Sequence, residues 1–158
     1  MVRSIVQRDG HKSNGGNGNS PAGEHTQRNQ VFTTLVVEGK LPFEEFLAEF
    51  FKTEGHFILR AENAAEALAM TREHWPDLIL MTREMDGTNG LKLLPELLQE
   101  HPSAAVIMMA TAPSVVDAVE AMKLGAVDYL ERPLNREKLK HAIEQQKKLY
   151  KVMLATEQ

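Results

Sequence analysis

From Val31 onward the chain alternates short apolar runs with segments whose apolar residues recur at helical spacing; before Val31 it does neither. That alternation is the signature of a parallel sheet covered on both faces by helices. Phe32 to Val37 predicts the first strand, with Glu38, Gly39 and Lys40 in the loop at its end. Pro42 suits a first helical turn, and Phe43, Phe46, Leu47 and Phe50 then share one helical face until Gly55, placed as a C-terminal cap. His56 to Ala61 predicts a second strand, and Asn63 opens a helix to about His74, with Ala67, Leu68 and Met70 inward and Trp75 and Pro76 closing it. Asp77 to Met81 reads as the central strand, nearly continuous in Leu and Ile as burial on both faces demands. It stops at Thr82 and runs into a polar loop bounded by Gly90.

Leu91 to about Gln99 is helical in pattern, with Pro95 either kinking that helix or setting a later start. Ala104 to Ala110 gives a fourth strand, Ser114 caps a helix ending near Gly125, and Ala126 to Glu131 gives a fifth strand leading to Arg132 and Pro133. Asn135 caps a last helix in which Leu139, Ile143 and Tyr150 continue one apolar face, while Lys138, Lys140, Lys147 and Lys148 load its later turns with positive charge. Five strands and five helices in strict alternation predict a doubly wound α/β domain. Right-handed crossovers leave few strand orders, and the flavodoxin-like order 2-1-3-4-5 is the one expected. In that order the strand ends share one crevice, where chemistry collects.

Composition changes this picture in three places. Residues 1–30 are rich in Gly, Asn and Ser and too poor in apolar side chains to offset the entropy of ordering, so they are expected to be a disordered tail. His11 and His25 in that tail lack the clustering a metal site needs. A net charge of −4 with no basic stripe argues against direct nucleic-acid binding, and the absence of cysteine excludes disulfides and thiolate chemistry. No apolar run approaches a membrane span and no secretory leader pattern opens the chain, so a cytoplasmic protein is expected. The domain is placed at residues 31–148. Residues 149–158, with the apolar stretch Leu149 to Leu154, are read as a dimerising helical extension or the stump of a linker to an output module.

The segments LVVEGK, EGHFILRAENAAEALAM, PDLILMTREMDGTNGLKLL and VIMMATAPSVVDAVEAMKLGAVDYLERPL follow, in order and spacing, those of a known family. From about Thr33 to Gln146 the chain resembles a response-regulator receiver domain, the phosphoacceptor module of bacterial two-component signalling. The resemblance implies a pocket at the strand ends, and here most of its working residues are replaced. The two acidic residues after the first strand fall on Glu38 and Gly39; the phosphoacceptor aspartate falls on Thr82. The hydroxyl residue ending the fourth strand falls on Ala110, and the lysine before the proline falls on Arg132. Tyr129 matches the family's switch aromatic, and Pro133 the proline that usually follows a cis bond.

Aspartyl phosphate needs a carboxylate nucleophile, and a hard Mg²⁺ needs carboxylate oxygens beside it. Thr82 supplies neither, so no metal, no cofactor and no enzymatic activity are expected. Arg132 could pair with Glu38 or donate to the Thr82 hydroxyl. Asp86, where the family commonly has proline, reads as a turn residue, and with Glu38 it would recruit at best a weak cation. His101 and His141 read as surface residues. The function expected is that of a pseudo-receiver: a signalling module acting through protein contacts without phosphorylation at the usual position. Its partner face would comprise Tyr129 with Val115, Val116 and Ala118, on the fourth and fifth helices and the fifth strand. A kinase, a phosphotransfer protein, an output module or a second copy of the chain would dock there. Two alternatives stand beside it: a conditional switch phosphorylated on Thr82 or another non-standard site, and a flavodoxin-like binder of a small ligand. The latter lacks a Gly-rich phosphate loop after the first strand.

Overall fold

In the computed structural model, residues 3–4, 32–38, 45–85 and 87–156 are described. The five expected parallel strands are β2 (Thr33–Val37), β3 (Phe57–Ala61), β4 (Leu78–Thr82), β7 (Ala105–Ala110) and β8 (Asp128–Glu131). They lie in the order β3-β2-β4-β7-β8, which is the doubly wound 2-1-3-4-5 arrangement. Among the described residues five helices cover them: α1 (Glu45–Thr53), α2 (Ala64–His74), α3 (Gly90–Glu100), α4 (Val115–Lys123) and α5 (Arg136–Thr156). A two-residue strand, β1 (Arg3–Ser4), adds antiparallel to β3 opposite Arg60 and Leu59. At those two residues a featureless tail was expected and an edge strand is found. The edge of β3 presents backbone groups that any nearby chain can satisfy.

The period of two along each strand sorts the apolar runs into two cores. Leu35, Val37, Ile79, Met81, Val106 and Met108 face one side with Ala67, Met70, Leu93, Leu94, Leu97 and Ala121 from α2, α3 and α4. Val36, Leu78, Leu80, Ile107 and Met109 face the other, against Leu47, Phe50 and Phe51 of α1 and Leu139, Ala142 and Ile143 of α5. Each fully buried Val, Leu, Ile, Met or Phe among them contributes about 2 kcal/mol relative to exposure. The central strands are therefore the firmest frame available for whatever their ends carry.

Helix starts follow the local signals. Asn63 Oδ1 accepts from Glu66 N at 2.8 Å, Ser114 Oγ from Asp117 N at 3.1 Å, and Asn135 Oδ1 from Lys138 N at 3.0 Å. Pro95 does not delay α3, which begins at Gly90 and runs through it. The backbone bond that proline cannot donate is outweighed by the burial of Leu93, Leu94 and Leu97. His11, His25, Gly39, Lys40, Pro42, Phe43 and Asp86 lie outside the described residues.

His101 is not a surface residue: it is 5% exposed, its Nε2 lies 2.8 Å from the Pro76 carbonyl, and its ring sits 4.4 Å from that of Trp75. His141 is exposed as expected. His56 is also buried, between the rings of Phe32 and Phe51, with Nδ1 3.2 Å from Thr34 Oγ1. Burial, and secondarily the Lys147 ammonium, lowers its pKa to about 4. The unfolded chain, with an ordinary histidine near 6.5, then binds this proton first. Stability is indifferent to His56 above about pH 6.5 and falls as the pH drops toward 4, by up to about 3 kcal/mol. Urea unfolding at pH 7.5 and 5 should show about 2 kcal/mol of this loss in the wild type and a reduced loss in His56→Gln; parallel pH profiles would refute it.

Candidate functional site

The strand ends bring the replaced residues together. Glu38 follows β2 and is 2% exposed, Thr82 ends β4 and is 0% exposed, Ala110 ends β7, and Arg132 follows β8 at 7%. Parallel register sets this convergence: Val37 lies opposite Met81, Thr82 opposite Met109, and Ala110 opposite Glu131. The Arg132 amide donates to the Ala110 carbonyl at 2.8 Å, and the Arg132–Pro133 peptide is cis. Gly39 lies outside the described residues.

Arg132 makes both of the contacts posed as alternatives. Its Nη1 donates to Thr82 Oγ1 at 3.3 Å, while Nη2 lies 3.6 Å from Glu38 Oε1. The guanidinium fork serves a hydroxyl and a carboxylate at once, which a lysine ammonium could not do with the same geometry. Thr82 in turn donates to Glu84 Oε1 at 3.3 Å. Its hydroxyl is thus bonded on both sides and shut off from solvent, so a kinase could reach it only through an opened pocket.

Four contributors escaped the sequence reading. The Glu84 carboxylate accepts from the Thr111 amide, at 3.1 Å to Oε2 and 3.3 Å to Oε1, and lies 3.5 Å from the Thr111 hydroxyl. Beside it, Arg83 Nε lies 2.8 Å from Asp117 Oδ2. The available signals were weak: two charged residues directly after the central strand, and a threonine one position beyond Ala110.

The described residues of this site do not fit a divalent cation. Among the described residues no three His, Cys, Asp or Glu side chains cluster as a metal site. Glu38 is committed to a guanidinium, Glu84 to hydroxyl and amide donors, and Thr82 is neutral, so no set of hard carboxylate oxygens converges among them.

Tyr129 is half-buried and packs against the α2/α3/α4 core. Burial raises its pKa, reinforced by Asp117 and Glu84 and opposed by Arg83, and its hydroxyl has no hydrogen-bond partner among the described residues. On the neighbouring helix Val115 and Val116 are 78% and 75% exposed, Ala118 is half-buried, and Val119 and Met122 extend the open apolar strip. On α5, Leu149 and Val152 are exposed.

Comparison with known proteins places these observations. The family model described as the response regulator receiver domain matches residues 34–144. Over 105 residues the chain is 36% identical to the transcriptional regulatory protein ZraR of Klebsiella oxytoca, covering 66% of this chain and 24% of that protein. It is 33% identical over 108 residues to protein PilH of Pseudomonas aeruginosa, covering 66% of this chain and 88% of that one. Among solved structures, a response regulator protein from Burkholderia pseudomallei, with a phosphorylated aspartic acid, calcium ion and citrate, superimposes with a TM-score of 0.67. It shares 26% identity over 80% of this chain and 74% of the other. The chain spans about a quarter of ZraR and most of PilH.

Proposed function

The chain belongs to the response regulator receiver domain family of two-component signalling, and from that premise we propose that it is a pseudo-receiver, a module that signals through protein contacts and takes no phosphoryl group at the usual position. The observation that carries this is the buried cluster in which Arg132 holds Thr82 and Glu38 together. A receiver forms an acyl phosphate on a carboxylate with a divalent ion alongside. Here the corresponding side chain is a hydroxyl already bonded as donor and acceptor, and the described carboxylates beside it, Glu38 and Glu84, face a guanidinium and hydroxyl and amide donors. On this reading the chain is not an enzyme, because self-phosphorylation and self-dephosphorylation both run through the replaced groups. What it retains is a surface: the exposed valines of α4, the helix whose buried side packs in the same core as Tyr129, offer an apolar partner site for a kinase, a phosphotransfer protein, an output module or a second copy. No helix among the described residues is long and apolar enough to cross a membrane, and a cytoplasmic location is part of the proposal.

The test is an amide NMR spectrum recorded while beryllofluoride or acetyl phosphate is added with Mg²⁺. The expected spectrum stays unchanged around Thr82, Thr111 and Tyr129. Saturable shifts at those three positions would overturn the reading.

A further inference from the structure

The loop after β4 is stiffer than its polar sequence suggests. Arg83 N donates to the Met109 carbonyl at 2.8 Å, and the Arg83 carbonyl accepts from Gly90 N at 2.9 Å, so its backbone is fixed between β7 and the start of α3. The next residues form a two-stranded antiparallel ribbon, β5 (Glu84–Met85) with β6 (Thr88–Asn89), which closes through Gly87 at φ +79°. Two side chains of opposite charge leave this fixed platform and reach the same target from two places. Arg83 meets Asp117 in the first turn of α4; Glu84 meets the amide and hydroxyl of Thr111, at the start of the connection from β7 to α4.

We propose that Arg83 and Glu84 act as a built-in clamp that holds the β7–α4 connection and α4 in one position, so that the Val115, Val116 and Val119 face is presented permanently. This deepens the pseudo-receiver reading and rests on it for its biological meaning. The physical argument is one of geometry and charge. The Thr111 amide donates to a charged acceptor, at 3.1 Å and on the exposed side of the loop, and Glu84 adds the part-buried Thr82 hydroxyl to the same group. The carboxylate therefore ties the buried pocket to the α4 side of the domain through a chain of contacts: Glu38 to Arg132, Arg132 to Thr82, Thr82 to Glu84, and Glu84 to Thr111. An ordinary exposed ion pair would contribute little. Arg83 and Asp117 are each less than one-third exposed and 2.8 Å apart, and they brace the same helix from the other side of the loop. The charges of Arg83, Glu84 and Asp117 also bear on the Tyr129 hydroxyl. Ala110, lacking a hydroxyl, has no part in this path; a carboxylate two residues beyond Thr82 does the tying.

Amide hydrogen exchange on the full chain tests it, with Glu84→Ala and Arg83→Met as the principal variants. In Glu84→Ala the Thr111 amide should exchange about tenfold faster or more, and the amides of Asp117 and Ala118, which donate to Ser114 at the start of α4, should accelerate with it. Leu80 and Ile107 in the central strands should be unmoved. Arg83→Met should speed the α4 amides while leaving Thr111 closer to wild type, and the double variant should exceed either. Should Glu84→Ala fold poorly, Glu84→Gln keeps the shape, removes the charge, and should give an intermediate acceleration. Unchanged exchange at Thr111 and in α4 in the folded variants would overturn the clamp. That failure is separable from failure of the pseudo-receiver reading: reactivity toward acetyl phosphate contradicts the latter whatever the exchange rates are.

Discussion

Replacing Gly90 by alanine is expected to lower the unfolding free energy by about 2–3 kcal/mol, although alanine is the better helix former by about 1 kcal/mol. The cause is steric and local. A Cβ on residue 90 would lie 2.4 Å from the Thr82 carbonyl oxygen, 3.0 Å from Arg83 Cα and 3.1 Å from Met108 Cε. Met108 is a flexible side-chain end and can yield; the other two atoms are backbone. Moving them would pull Thr82 out of its register with Met109 and strain the Gly90 to Arg83 hydrogen bond. The glycine thus serves the close approach of α3 to the end of the central strand, on which the pocket is built. Urea unfolding with Gly55→Ala as a companion separates this from backbone freedom. A methyl group at Gly55 would meet nothing within 4 Å, but the residue sits at φ +80°, so its alanine variant should lose about 1 kcal/mol. A Gly90→Ala protein as stable as the wild type would refute the close-approach argument. In the folded fraction of that variant, the amide shifts of Thr82 and Arg83 should also move, because the displaced atoms belong to those two residues.

What is legible in the sequence divides along the range of the interaction. The strands LILMT and AVIMMA and the caps Asn63, Ser114 and Asn135 announce themselves within a few residues, and the fold follows from their order. Glu38, Thr82 and Arg132 were legible as pocket residues because a parallel sheet brings its strand ends together whatever the loops do. Which partner Arg132 takes was not, since the choice depends on side-chain geometry; the fork takes both. Glu84 was missed because a carboxylate in a polar loop ordinarily faces water, while its decisive partner, Thr111, lies 27 residues further on. His101 misled for the same reason: a lone histidine after a helix looks solvated, and its burial comes from Trp75 and Pro76, more than twenty residues earlier. The paired edge residues Arg3 and Ser4 carry no pattern at all, because a two-residue strand is shorter than any period that could reveal it.

The buried guanidinium supplies the second large effect. Arg132→Met is expected to cost about 3 kcal/mol, since removing one member of a buried ion pair leaves the other charge desolvated without its counterpart. In this pocket the substitution takes the guanidinium from Glu38 and the donor from Thr82 in one step, while the Arg132 amide to Ala110 carbonyl bond survives because it is backbone. Two further variants separate charge from shape. Arg132→Lys retains a cation but not the planar fork, so it can serve Glu38 or Thr82 but not both in the present geometry, and an intermediate loss of about 1–2 kcal/mol should result. Glu38→Met combined with Arg132→Met removes both charges and fills the space with apolar atoms; it should recover much of the single-variant loss, with a coupling of about 1–3 kcal/mol in the double-variant cycle. Additive losses in that cycle would mean that the two side chains do not sense each other, and the pocket would then be a packed cavity with charges at its rim. Strong coupling, by contrast, would mean that the charge of Arg132 is spent within the domain, on Glu38 and Thr82, and is not held ready for an incoming phosphoryl group.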